Sequence, residues 1–200
     1  MNSKSFITAV KERRTIYSID KEIKVSESKI QEIVELAITH TPSAWNSQSS
    51  RAIILFKDQS DKFWEDTKEI LRKIVSAEQF PATEARINGF GAGYGTILFF
   101  EDEVPVKKLQ ESFPQYAESI AIFPQHTSGM VQYIVWTALE AEGLGCSLQH
   151  YSPLVDETVQ KNWGVPTSWK LVAQLPFGNP VKPAGEKTFL PIEERVLVFN

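Results

Sequence analysis

The stretch TPSAWNSQSSR, residues 41–51, is where a helical pattern gives way to a strand-like one. Ten of these eleven residues are polar, small or turn-forming, and the apolar run Ala52–Phe56 follows directly. Side-chain amides and hydroxyls offer hydrogen-bond donors and acceptors without charge, which suits contact with the edge of a neutral polar heterocycle. An ordinary helix-to-strand connection explains the same composition. The segment therefore predicts a loop, and its role stays open between a turn and a ligand contact.

Outward from this loop, helices come in runs and do not alternate strictly with strands, which predicts an α+β fold. Helices are predicted at residues 6–13, from Ser26 or Ser28 through 37, and at residues 60–75, 106–113, 116–122, 127–142 and 153–163. Strands are predicted at residues 52–56, 96–101, 146–149, 170–177 and 195–199. Apolar residues cover nearly all faces of 127–142, which predicts a central buried helix. The terminal strand 195–199 needs a sheet edge, in its own subunit or in a partner's.

Composition narrows the classes of protein. Two hundred residues with 42% hydrophobic content suffice for one domain, residues 1–200. A net charge of −4 without a basic stripe argues against a nucleic acid partner, and no apolar run is long enough for a membrane span. The single cysteine, Cys146, fits a reducing cytoplasm. Three scattered histidines give no metal-ligand spacing, so no metal site is predicted.

The glycine-rich segment GFGAGYG, residues 89–95, resembles a phosphate-binding loop in composition only. A phosphate-binding loop leaves a strand and opens a helix, so that the helix N-terminus faces the phosphate. Here a predicted helix precedes the glycines and a strand follows them. We therefore expect a closely packed helix-to-strand turn.

Four other positions carry candidate chemistry. Arg13 and Arg14 end the first helix and suit phosphate binding, although cations are also favoured at any helix C-terminus. His150 lies where a strand leaves the core, and a structural role competes with a catalytic one. No Cys-His-Asp arrangement can be assembled locally around Cys146, so a small buried thiol is the default interpretation. The late loop 182–188 holds two lysines and is consistent with plain surface.

These segments occur in the order found in the FMN-dependent nitroreductase family, which the chain resembles from residue 6 to its end. The elements that carry the resemblance are Arg13-Arg14-Thr15, the loop Pro42–Gln48, Gly143-Leu144-Gly145, Phe177–Pro180 and the basic loop around Lys187. The fatty-acid-repression-mutant-like branch is the closer match. That branch shows Arg13–Tyr17, Pro42–Gln48, Tyr94–Phe100 and Leu148–Tyr151 as they stand here.

The resemblance implies a nitroreductase-like fold with a central mixed or antiparallel sheet flanked by helices. It also implies a homodimer with FMN at each subunit interface and a C-terminal strand that extends to the partner. Arg13 and Lys187 would hold the phosphate, with Arg14 and Thr15 along the ribityl chain and ring edge. The flavin would also be reached by two further groups, the loop residues Pro42, Ser43, Asn46 and Gln48, and the turn residues Leu148, Gln149 and His150.

The sequence departs from the family pattern at three places. Tyr17 stands where many relatives carry a basic residue near flavin N1 and O2, and Arg86 is a candidate to supply that charge. Ser49-Ser50 replaces the usual Pro-Trp, and Gln149-His150 replaces a glycine-rich turn near N5. These departures bear on the substrate pocket.

The functional hypothesis is a ping-pong NAD(P)H oxidoreductase that reduces nitroaromatics, quinones or similar acceptors through flavin N5. His150 is a candidate proton donor, and solvent can fill that role. A flavin-binding, redox-responsive regulatory protein with little turnover is the alternative, and a thiol enzyme using Cys146 is a third. A stress-response role is plausible for the family.

Overall fold

The computed structural model describes residues 4–199. The helices are α1 (Phe6–Glu12), α2 (Glu27–His40), α3 (Asp58–Arg72), α4 (Phe80–Gly91), α5 (Glu103–Ser112), α6 (Ala117–Ala141) and α7 (Asp156–Trp163). The strands are β1 (Ile19–Asp20), β2 (Ser50–Phe56), β3 (Gly95–Asp102), β4 (Gly145–Cys146) and β5 (Trp169–Pro180). Short 3-10 turns occupy Ala44–Asn46, Pro114–Tyr116 and Ile192–Glu194.

The strands form one antiparallel sheet in the order β1-β5-β3-β2, with β4 also paired to β5. In register, Ile97 of β3 lies between Ile54 of β2 and Leu175 of β5. Every residue of β3 is buried, as a central strand covered on both faces requires. The predicted α+β class with an antiparallel sheet is confirmed.

Alternation along β3 divides the hydrophobic core in two. Ile97 and Phe99 belong to a core with residues of α2 and α6, whereas Leu98 and Phe100 belong to a core with residues of α3, α4 and α7. Successive side chains of a strand point to opposite faces, so one apolar strand serves both layers. The sheet is therefore enclosed between two helical layers.

The helix predictions are confirmed best where the apolar period is regular. Helix α2 buries Ile30, Ile33, Val34 and Ala37, and the Ser26 hydroxyl caps it by accepting from the backbone N of Lys29. The boundaries at Ser60, Val106 and Pro153 were wrong by two or three residues, because α3, α5 and α7 begin at Asp58, Glu103 and Asp156.

Two predictions about the central helix were wrong. Residues 116–122 and 127–142 form one helix, α6, which runs through Pro124. Its side chains are also not buried all round, since Met130 and Tyr133 are each 40% exposed. An apolar helix face open to solvent in one chain is a surface that another molecule can cover.

Strand predictions are confirmed in the sheet centre, the strand predicted for 146–149 was wrong in extent, and the pairing of 195–199 with a partner's edge stays a prediction. Strands β2, β3 and β5 contain the predicted residues and extend beyond them by one to three. The strand predicted for 146–149 is reduced to Gly145–Cys146, followed by a single bridge between Gln149 and Gln174. Residues 195–199 form no strand with their own subunit, and Leu197, Val198 and Phe199 are 73%, 78% and 89% exposed.

The predicted helix-to-strand turn is confirmed at residues 92–94, whereas Gly89 and Gly91 of the glycine segment lie in helix α4. Helix α4 ends at Gly91 and β3 begins at Gly95. A Cβ at Gly93 would come within 2.7 Å of the Phe177 carbonyl oxygen, and one at Gly95 within 2.7 Å of the Leu55 oxygen. Both glycines are therefore required by close packing of backbones.

No helix among residues 4–199 is long and apolar enough to cross a bilayer.

Candidate functional site

The loop between α2 and β2 is held in an unusual backbone conformation. Trp45, Asn46 and Gln48 have φ values of 50°, 52° and 47°. Positive φ is uncommon for residues other than glycine and persists only where surrounding contacts enforce it. Here the Gln48 backbone N donates to the Ser43 hydroxyl over 3.0 Å. Pro42, Asn46 and Gln48 are exposed, so the amide side chains face outward from a fixed backbone.

Arg13 ends α1 and lies against the aromatic face of α6. Its Cζ is 4.4 Å from the Trp136 ring centroid and 5.7 Å from that of Tyr133. Its Nε is buried and has no hydrogen-bond partner among the described residues. An aromatic face holds a guanidinium by stacking and leaves its donors free for an anion. The stacking thus holds the Arg13 side chain on α6 without using its Nε donor.

Arg14 connects the N-terminal segment to the late lysine loop. Its Nη2 donates to the carbonyl oxygen of Gly185 over 2.8 Å, two residues before Lys187. Thr15 forms a parallel bridge with Cys146, and the Ile16 backbone N donates to the Cys146 oxygen. These contacts bring the Arg13–Thr15 segment, β4 and the Lys187 loop together.

A pocket of about 500 Å³ opens beside this segment. It is lined by Tyr17, Ala85, Arg86, Gly89, Phe90 and Gln149. The Gln149 side chain contributes a buried Nε2 without a partner among residues 4–199. Arg86 is exposed on α4. The pocket combines an apolar wall, a free amide donor and a permanent positive charge, which suits a planar heterocycle with acceptor atoms at its edge.

The turn that carries Gln149 is fixed by a second glutamine. The Gln149 backbone N donates to the Gln174 oxygen over 2.7 Å, and the Gln174 N donates back over 2.9 Å. The Gln174 side-chain oxygen accepts from the Tyr151 backbone N over 2.7 Å. Leu148 is partly buried, and His150 is exposed at the same turn. Three bonds to one buried residue give a rigid support next to the pocket.

The predicted site residues fall in two separate places within one chain. Gln149 lines the pocket next to Tyr17, whereas the loop residues Ser43 and Gln48 line a different cavity of about 170 Å³ near α6. The amide loop and the Gln149 pocket are thus not brought together by a single subunit.

Sequence reasoning missed Phe90 and Glu101 and gave Arg86 only as a substitute for a missing charge. Phe90 lies beside Tyr17 with ring centroids 6.4 Å apart, and the Gly-Phe-Gly segment was the available signal. Glu101 is 8% exposed, and burial raises the pKa of its carboxyl. Cys146 is fully buried, and burial raises the pKa of its thiol. A buried, protonated thiol is a poor nucleophile, so the thiol-enzyme hypothesis loses its support.

Most of the chain matches known proteins. Residues 10–179 match the nitroreductase family, and the chain belongs to that family. It is 36% identical to HBN1 of Saccharomyces cerevisiae over 199 residues, covering 98% of this chain and 97% of that protein. It is 35% identical to the nitroreductase FRM2 of the same yeast over 191 residues, covering 93% of each. These two relatives confirm the predicted branch.

A solved structure shows the same fold at higher identity. Nitroreductase CinD from Lactococcus lactis, in complex with chloramphenicol, is 43% identical to this chain. The TM-score is 0.90, and the alignment covers 98% of this chain and 100% of CinD. The chain is a nitroreductase-type oxidoreductase by family and by fold.

Proposed function

We propose that this protein is an FMN-dependent NAD(P)H oxidoreductase that reduces nitroaromatics, quinones or similar acceptors. FMN is the cofactor of the nitroreductase family, to which the chain belongs. The observation that carries the proposal is the pocket of about 500 Å³ in which the Gln149 amide and Arg86 meet an aromatic wall. Chloramphenicol, the compound bound to CinD, carries a nitroaromatic ring, which supports the acceptor class.

The residues present fit the cofactor. The partnerless Gln149 Nε2 offers a donor to the ring edge, and Arg86 offers the charge that Tyr17 cannot supply near N1 and O2. Arg13, with its unpartnered Nε, and Lys187 would hold the phosphate. Arg14 and Thr15 would lie between them, along the ribityl chain. Leu148 and His150 would line the ring mainly by backbone.

When bound, FMN would supply the redox chemistry, as the carrier of electrons from a nicotinamide to the acceptor. The residues of this chain bind and orient the ligands and exclude water from the site. The rigid Gln149 turn, held by Gln174, fixes the wall against which ligands stack. His150 is exposed at that turn and can pass a proton from solvent to product, although solvent alone suffices. One open face serves donor and acceptor in turn, so no second nucleotide-binding loop is needed.

We further propose a homodimer with shared sites. Strand β2 ends the sheet, and beside it a groove of about 530 Å³ is lined by residues of α2 and β2 together with Trp169. An open edge of this kind is normally covered. The apolar tail 195–199 has no strand partner in its own subunit and can pair with this edge in a second copy. The exposed face of α6 at Met130 and Tyr133 adds apolar area for the same contact.

Dimerisation also accounts for the divided site. The residues Pro42, Ser43, Asn46 and Gln48 of one subunit would complete the Gln149 pocket of the other. A single domain, residues 1–200, would thus contribute to two flavin sites.

We assign the protein to the cytoplasm, where a lone buried cysteine is compatible with reducing conditions.

Steady-state kinetics with flavin-loaded protein tests the proposed function. Initial rates measured against NADH or NADPH at several nitroaromatic concentrations should give parallel double-reciprocal lines, because the first product leaves before the acceptor binds. Arg86→Gln should lower kcat/KM for the nicotinamide about tenfold and also lower the flavin midpoint potential, since a preorganised charge is removed. Lys161→Gln, which removes an exposed charge from α7, is the matched control.

The outcomes separate the competing functions. Bound FMN that NADH and NADPH fail to reduce would support the redox-responsive regulatory protein instead. Failure to bind FMN at all would refute both hypotheses.

A further inference from the structure

A buried carboxylate lies beneath the amide loop at the end of the central strand. Glu101 is 8% exposed, and both of its carboxylate oxygens are occupied. The Ser49 hydroxyl donates to Oε2 over 2.5 Å, and the Ser50 hydroxyl donates to Oε1 over 2.5 Å. Hydrogen bonds to a charged acceptor are about twice as strong as neutral ones. The two residues that directly follow Gln48 are therefore anchored to one side chain.

A second set of contacts fixes the same segment from its other side. Arg51 Nη1 donates to the Gln48 carbonyl oxygen over 2.6 Å, and its Nη2 donates to Asp102 Oδ2 over 3.1 Å. The Asp102 backbone N donates to the Ser49 oxygen over 2.8 Å. Glu101, Asp102, Ser49, Ser50 and Arg51 form what we call the Glu101 clasp. It joins the end of β3 to the last residues of the loop.

The loop above the clasp is the part of the chain that needs such support. Three residues that are not glycine hold positive φ between 43 and 48, each at an energetic cost that surrounding contacts must offset. Within the loop, the Gln48 backbone N donates to the Ser43 hydroxyl. The Gln48 side-chain Nε2 donates only to the Asn46 carbonyl oxygen, over 3.5 Å. Without the clasp, the carbonyl side of Gln48 has no fixed partner.

Stability alone is a weak explanation for a buried carboxylate at this position. Taking a charge out of water is costly, and apolar residues of similar volume often serve stability as well or better. Here two serine hydroxyls donate to the acid, and these hydrogen bonds fix the direction of the chain at residues 49 and 50.

We propose that Glu101 is a positioning residue that acts through Ser49 and Ser50 to hold Gln48 in the geometry that contacts the flavin. The proposal rests on the proposed function for its flavin readout, whereas the effect on the loop is independent of it. Glu101 itself touches no ligand in this account. Replacing it should loosen the loop in the flavin-free protein and weaken flavin binding only through Gln48.

Hydrogen–deuterium exchange on the flavin-free protein tests whether Glu101 holds the loop in place. Amides of the 43–48 peptide should exchange about tenfold faster in Glu101→Ala than in the wild type, because local opening becomes easier. Glu101→Gln should give a smaller change, since an amide oxygen still accepts from one serine. Glu103→Gln is the matched control, because it removes a neighbouring acid that pairs with Lys107 rather than with the loop. Exchange equal to the wild type in Glu101→Ala overturns the proposal.

A double-mutant cycle on FMN affinity tests whether Glu101 affects flavin binding through Gln48. Glu101→Ala and Gln48→Ala should each weaken FMN binding about tenfold, and the double variant should bind no more weakly than Gln48→Ala alone. Fully additive effects would show that Glu101 acts by another route and would overturn the proposal. A wild-type protein that binds no FMN would instead refute the proposed function, and the exchange measurement would still decide the role of Glu101 in the loop.

Discussion

Replacing Arg13 with lysine separates charge from geometry at the proposed phosphate site. The guanidinium stacks on Trp136 at 4.4 Å and keeps its Nε free of any partner in the described chain. Lysine retains the positive charge but lacks the planar fork and most of the stacking. We therefore expect Arg13→Lys to fold normally and to bind FMN more weakly.

The size of the effect follows from the interactions that lysine cannot make. One hydrogen bond to a charged group contributes about 1.5–3 kcal/mol, and a cation–π contact at a partly exposed site about 0.5–1 kcal/mol. Because the lysine ammonium recovers part of this, we expect binding to weaken by about 1.5–3 kcal/mol, which corresponds to about 10–100-fold in Kd.

Quenching of flavin fluorescence during titration with protein at fixed ionic strength measures this Kd. Lys11→Ala is the control, since it removes an exposed charge from the last turn of the same helix. Wild-type affinity in Arg13→Lys would refute the assignment of Arg13 to the phosphate. An equal decrease in affinity in both variants would show that loss of positive charge near the site, and not the geometry of Arg13, weakens FMN binding.

Four further predictions concern stability, reactivity and assembly. Burial raises the pKa of Glu101 above its ordinary value of 4.5, so the stability of the wild type should fall as pH rises from 4.5 through the raised pKa. In urea unfolding between pH 4 and 8, Glu101→Gln should therefore gain stability relative to the wild type as pH rises. A stability difference that does not change with pH would contradict this prediction. Cys146 should not react with a thiol reagent in the native state, and Cys146→Ser should retain activity, because the thiol is buried. Gly95→Ala should lower the free energy of unfolding by about 2–3 kcal/mol, measured by urea unfolding, since a Cβ there overlaps Phe177 and the Leu55 oxygen. Removing residues 195–199 should convert the dimer to a monomer in sedimentation, and an unchanged dimer would contradict the role given to the tail.

Much of the fold could be predicted because local patterns agree with tertiary packing. The apolar period of α2 and its Ser26 cap specify the same helix. The order of helix, glycines and strand at 89–95 argues against a phosphate loop from the sequence alone, and α4 and β3 confirm that order. Where burial and periodicity coincide, sequence reasoning gives the correct element.

The errors arise where the deciding partner is distant or absent from the chain. The sequence predicts separate helices at 116–122 and 127–142, yet α6 continues through Pro124 between them and packs against the sheet. The strand predicted for 195–199 has no edge in its own subunit, and its pairing with a partner's edge stays a prediction. The same limit applies to the site, since neither the contact of Arg14 with Gly185 nor that of Ser49 and Ser50 with Glu101 is visible in local spacing.

The most direct test of the central claim is the visible absorbance spectrum of the purified protein reconstituted with FMN, recorded anaerobically before and after NADH or NADPH. The account predicts flavin bands that bleach with one or both donors and return when a nitroaromatic is added. Bands that stay unbleached with both donors, or the absence of bound flavin, would contradict the assignment of this nitroreductase-family protein as an FMN-dependent oxidoreductase.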